Sequence, residues 1–74
     1  MNIIEEGQLD GEFNGFEDEK VIFKFFGGNK WKQSEHKYNY HYAYMPQAKV
    51  IEEYGSYYLE VACMTDKVRV ERIN

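Results

Sequence analysis

The chain has 74 residues, 43% of them hydrophobic and 18% aromatic, with a net charge of −4. That length allows one domain, residues 1–74, with a thin core, because a chain of this size buries only about 60% of the surface its unfolded form exposes. The composition argues against disorder, and Cys63, the single cysteine, leaves no internal disulfide to staple the fold.

Gln8 to Phe16 opens the pattern, with Leu9, Gly11, Phe13 and Gly15 on one parity, which predicts a short strand bent by its glycines. Glu17-Asp18-Glu19 follows as a polar turn. From Lys20 to Phe26, Val21, Phe23 and Phe25 form a clean inward face with Lys24 outward, the plainest core strand in the chain. Gly27-Gly28-Asn29 then supplies residue types that accept positive φ, so a hairpin turn is expected. No Gly-Lys-Ser/Thr follows, which sets a phosphate loop aside.

Trp31-Lys32-Gln33 begins the next strand, with a kink expected at Ser34-Glu35. From Tyr38 to Tyr44 every second residue is tyrosine, and Met45-Pro46 closes the run. Period two places His36, Tyr38, Tyr40, Tyr42 and Tyr44 on one face and Lys37, Asn39, His41 and Ala43 on the other. At about 3.3 Å per residue the nine residues from His36 span roughly 30 Å, so this strand is expected to be the central one, bending to serve two sheets.

Ala48 and Val50 alternate with Lys49 and Ile51, and Glu52 to Ser56 makes a turn around Gly55. Tyr57, Leu59, Val61 and Cys63 form the inward parity of the following strand, which makes Cys63 a buried, reduced thiol. Thr65-Asp66 turns the chain into a last strand with Val68 and Val70 inward. Regularly spaced strands with no helical stretch predict an all-β fold, a small barrel or sandwich of five or six antiparallel strands.

The combination of Gly28-Asn29, Trp31-Lys32-Gln33, the ladder from Tyr38 to Tyr44 and Pro46 resembles a family of small bacterial proteins of unassigned function. Tyr57 to Val61 and Val68 to Val70 fit its general pattern, whereas Ala48 and Ala62-Cys63 depart from it. The resemblance implies an SH3-like small barrel and implies no activity.

Charge is uneven along the chain. Residues 1–20 hold seven carboxylates against Lys20, and residues 29–49 hold Lys30, Lys32, Lys37 and Lys49 against Glu35. The plainest reading pairs the acidic edge with the basic centre inside the fold; the alternatives are pairing between two copies or an anionic partner. His36 and His41 are five apart and fall on opposite faces of a strand, so they do not ligate one metal, and Glu17-Asp18-Glu19 lacks the alternating ligands of a calcium loop. Cys63 has no nearby cation to activate it and no serine lies in a motif, so the chain reads as non-enzymatic, with no cofactor.

The tyrosine ladder is therefore the feature on which function turns. Its rings are expected to lie over the thin core with hydroxyls reaching water. In the alternative, the region around Trp31, Gln33, Lys37, Tyr40 and Tyr42 forms an exposed surface, which needs a bend near Ser34-Glu35 to join the two parities. The expected role is a binding module for a protein or peptide, with a second copy of the chain as another occupant and single-stranded nucleic acid as the runner-up, disfavoured by the net acidity. The start Met-Asn-Ile-Ile-Glu-Glu has no basic segment ahead of an apolar one, and no apolar run approaches about 18 residues, so no membrane span and a cytoplasmic location are expected.

Overall fold

The computed structural model describes residues 2–17 and 20–73. Among these are eight strands and no helix: β1 (Asn2–Gln8), β2 (Glu12–Phe16), β3 (Ile22–Lys24), β4 (Lys30–Gln33), β5 (Asn39–Tyr44), β6 (Gln47–Glu53), β7 (Ser56–Val61) and β8 (Lys67–Arg72). The all-β expectation is right, and the strand number exceeds the five or six expected. Part of the excess is β1, whose residues lack a clean alternation, and part is the break between Gln33 and Asn39, which divides into β4 and β5 what reads as one strand kinked at Ser34-Glu35.

All pairs are antiparallel. Six strands form a sheet in the order β1-β6-β7-β8-β4-β3, and β2 and β5 form a separate ribbon. The large sheet curls until its outer strands touch: Leu9 bridges Phe25, Asp10 N–H donates to Lys24 O at 2.7 Å and Phe26 N–H donates to Gln8 O at 2.8 Å. This contact is an isolated bridge and not a ladder. Among the described residues neither sheet closes, so the SH3-like barrel is not shown.

The core lies between the curled sheet and the ribbon. Phe23, Phe25, Leu59, Val61 and Val70 are buried as their parity predicts, together with Trp31, Val50 and Val68. From the ribbon, Phe13 and Phe16 reach Phe23 to form a cluster of three rings with centroids 6.0–6.2 Å apart, in tilted and edge-on geometries that aromatic pairs favour. Ile51 is also fully buried, but its parity in β6 is that of Lys49, not that of Val50, so it lies on the outer face of the large sheet.

Two turns follow the residue types that announce them. In the β3–β4 hairpin, Phe25 N–H donates to Asn29 O at 3.1 Å around Gly27, which has φ 72°. The β6–β7 hairpin is a two-residue loop, Tyr54-Gly55, inside the Glu53–Ser56 pair. The expected turn at Glu17-Asp18-Glu19 falls partly on Asp18 and Glu19, which lie outside the described residues.

Three expectations fail. The tyrosine strand is not central: it begins at Asn39, and among the described residues it pairs with β2 alone and has a free second edge. Its rings do not cover the core, because phenylalanines already fill it, and the inward positions of β5 carry only the half-buried Asn39 and Ala43. Cys63 is exposed, since β7 ends at Val61 and the chain turns there, with Met64 N–H donating to Val61 O at 2.9 Å.

Candidate functional site

The ribbon presents one face to the core and the other to solvent. Phe13 pairs with Ala43 on the inner side, and Glu12 pairs with Tyr44 on the outer side. Between them and the Gly15–Tyr40 pair the register slips, so His41 and Tyr42 together oppose Asn14 in a bulge. At this point β5 presses on β2: a Cβ built on Gly15 would stand 2.6 Å from the His41 amide nitrogen and overlap Asn39 O. Gly15 also has φ 90°, so glycine is required there on both counts.

The result is a strip of four tyrosines on the solvent side of one strand and the residues leading into it. Tyr38, Tyr40, Tyr42 and Tyr44 are 65%, 63%, 52% and 68% exposed. Carboxylates border the strip. Glu12 is the cross-strand partner of Tyr44. Glu17, exposed, lies one residue past the Phe16–Asn39 pair. Asn39, on the inner side of the ribbon, donates from Nδ2 to Asp66 Oδ2 at 3.4 Å, so Asp66 belongs to that side and not to the strip.

Of the five residues expected to form a surface, Tyr40 and Tyr42 belong to this strip and the others do not. Trp31 is buried, stacked edge-on against Tyr57 at 5.5 Å, and its Nε1 donates to Glu5 Oε1 at 2.8 Å. Gln33 is completely buried and fully used: its Nε2 donates to Glu35 O and Lys37 O at 2.8 and 3.2 Å, and its Oε1 accepts the Glu17 N–H at 3.2 Å. This amide ties the segment leading to the tyrosines to the end of β2, so Gln33 holds the strip without belonging to it. Lys37 is half-buried, donating from Nζ to Lys67 O at 2.7 Å with Glu35 Oε1 at 4.0 Å. The bend at Ser34-Glu35 exists, but it turns the chain from the large sheet to the ribbon and separates the two groups.

The expected set left out Tyr38 and Tyr44 of the strip, and Glu12 and Glu17 on the ribbon beside it. A signal for exposure was present in the opposite parity of the ladder, Lys37-Asn39-His41-Ala43, which holds no large aliphatic residue. A central strand packed on a core needs one, so the sequence already pointed to a ribbon.

The other concave feature is an open groove of about 800 Å³ whose lining includes Glu6, Lys37, Lys49, Glu60, Met64 and Lys67. Register places Glu6, Lys49, Glu60 and Lys67 in one row across β1, β6, β7 and β8, with charges that alternate in sign. Lys49 meets Glu60 at 3.7 Å, and Lys67 meets Glu53 at 2.7 Å while lying 5.1 Å from the centre of the Tyr58 ring. The hydrogen bond to Glu53 is the main cause that raises the Lys67 pKa above its ordinary value. The groove's lysines thus meet carboxylates within the fold, but these are Glu35, Glu53 and Glu60 and not the acidic stretch of residues 1–20 that the sequence paired with the basic centre.

Among the described residues no group of three or more His, Cys, Asp and Glu is placed to hold a metal ion, and no helix is long and apolar enough to cross a membrane. Comparison of the chain with protein-family models, curated proteins and solved structures finds no significant match. The resemblance drawn from Trp31-Lys32-Gln33 and the ladder rests on those residues alone.

Proposed function

We propose that this chain is a non-catalytic binding module that receives a protein or peptide on the tyrosine strip of β5. The observation that carries the reading is the exposure of four neighbouring tyrosines, each more than half in solvent, on a strand with a free edge. Tyrosine is enriched at binding hot spots because its ring gives a large contact at the cost of only two side-chain torsions. Four rings of about 150–250 Å² each supply a patch of the size that marks an interaction surface.

Single-stranded nucleic acid is the second reading, favoured by the capacity of such rings to stack on bases. It ranks lower because Lys37, the lysine nearest the strip in sequence, has its ammonium on Lys67 O, while Glu12 and Glu17 would face phosphate. A cytoplasmic setting suits a protein with one exposed thiol and no disulfide.

The test is selection of binders from a random peptide library on the folded protein, followed by titration of oligothymidylate at low and moderate salt. Selected peptides are expected to lose about tenfold or more in affinity on Tyr40→Ser/Tyr42→Ser. Tyr54→Ser, at a ring 98% exposed on a distant hairpin turn, leaves them unchanged. Peptides indifferent to the strip variants overturn the proposal, and tight, steeply salt-dependent oligonucleotide binding lost on the same variants puts nucleic acid in its place.

A further inference from the structure

The strip's surroundings narrow the class of partner. Two exposed carboxylates stand on the ribbon with it: Glu12 across from Tyr44, and Glu17 one residue past the Phe16–Asn39 pair. Lys37 and Lys67 are committed elsewhere, Lys37 to Lys67 O and Glu35, and Lys67 to Glu53. The tyrosine rings therefore lie beside negative charge, on a chain whose net charge is −4.

An aromatic face carries a negative quadrupole and attracts cations, and the planar guanidinium of arginine stacks on it while also bonding carboxylates. Lysine, a compact and strongly hydrated charge, gains less from the same surface. The second edge of β5 offers the backbone groups of alternate residues, those not used by β2, to an extended chain, a common mode of peptide recognition. A second copy is a poorer occupant, since pairing two strips would set the Glu12 and Glu17 carboxylates of both copies against one another.

Building on the reading of the strip as a binding surface, we infer that its partner is an extended, arginine-containing peptide segment. The guanidinium groups lie over the tyrosine rings and are balanced by Glu12 and Glu17.

Synthetic peptides of equal length test this, with arginine, lysine or glutamate at alternate positions and serine between. Calorimetric or fluorescence titration should give the arginine peptide an affinity about two- to fivefold above the lysine peptide, and no binding of the glutamate peptide. Tyr42→Ser/Tyr44→Ser should bring the arginine peptide down to the lysine level. Glu12→Gln/Glu17→Gln should weaken both. The melting temperature of each variant confirms that it is folded, because all four positions are exposed.

Equal binding of the arginine and lysine peptides with no loss on the tyrosine variants overturns the inference, since attraction to an acidic protein then explains everything. If library peptides that depend on Tyr40 and Tyr42 prove neutral or acidic, the binding strip stands and its cationic partner falls. If no peptide of any charge responds to the tyrosines, both fall. A sedimentation profile showing a dimer broken by Tyr42→Ser/Tyr44→Ser replaces the peptide with a second copy.

Discussion

The Glu5 carboxylate joins β1 to the β3–β4 hairpin by accepting the Trp31 indole N–H at 2.8 Å on one oxygen and the Asn29 amide N–H at 2.9 Å on the other. A register shift between Ile3 and Glu5 makes this contact, because it reverses the parity of β1 and turns Glu5 towards the hairpin. Gly28 leaves the space: a Cβ built there would overlap Glu5 Oε2. Glu5→Ala strands a buried indole N–H and is expected to cost about 1–3 kcal/mol. Glu5→Gln keeps one acceptor and should cost less. Urea unfolding checks both, as a lowered midpoint at unchanged slope.

Phe23 sits at the centre of the aromatic cluster, with Phe13 and Phe16 ring centroids 6.2 and 6.0 Å away. Phe23→Ala is expected to cost about 3–5 kcal/mol. In a domain whose whole stability is of the order of 5–15 kcal/mol, that loss can unfold it. A variant that melts within a few degrees of the parent would show that the cluster is not where the stability lies.

The inward faces of β3, β7 and β8 were legible because each holds an unbroken apolar parity, Val21, Phe23 and Phe25, then Leu59 and Val61, then Val68 and Val70. Pairing partners were not. Nothing in the residues from Asn2 to Gln8 marks them as a strand, since the bulge at Ile4 breaks their alternation and the register depends on β6, more than forty residues along the chain. Trp31 and Gln33 illustrate a different limit. Aromatic and amide groups read equally well as a binding surface or as a buried donor and acceptor, and what decides is whether partners from far along the chain exist: Glu5 as acceptor for the indole, and the Glu17 N–H as donor to the Gln33 amide oxygen. The tyrosine ladder was recognised as a strand but placed at the centre, because the weight went to its aromatic parity and not to the polar one behind it.

Gly15 couples the ribbon to itself, and its replacement separates global from local effects. With φ 90° and β5 backbone where a Cβ would project, Gly15→Ala must displace β5 or strain β2, at a cost of about 1–3 kcal/mol. Amide hydrogen exchange should accelerate first in residues 39–44, ahead of β6 and β7. Uniform acceleration throughout the chain would mean that the ribbon and the large sheet unfold as one unit.

Lys67 supplies a pH dependence. Its pKa is raised above the ordinary value near 10.5, chiefly by the hydrogen bond to Glu53, partly offset by desolvation and reinforced by the charges of Glu53, Glu60 and Tyr58. A raised lysine pKa adds stability that is fully present below the unfolded value and is lost as pH rises through the folded one. Glu53→Gln should therefore lower the melting temperature at neutral pH, and the gap from the parent should close once pH has risen through the raised Lys67 pKa. A gap that persists there assigns the effect to packing and not to charge.

Tyr54 makes the β6–β7 turn with Gly55, and both residues have positive φ, 54° and 80°. Two-residue hairpin loops of this kind match the twist of the flanking strands, and they favour Asn-Gly because asparagine tolerates the left-handed region by bonding its own backbone. For tyrosine that conformation costs about 1–2 kcal/mol. The ring offers little in return, being 98% exposed. Tyr54→Asn is therefore expected to stabilise the protein by about 1 kcal/mol, which for a domain of this length raises the melting temperature by roughly 4–8 °C. The strands are held by the Glu53–Ser56 and Glu52–Tyr57 pairs and do not depend on the ring. Differential scanning calorimetry measures the shift. A lower melting temperature for Tyr54→Asn would show that the tyrosine contributes a contact which outweighs its backbone strain.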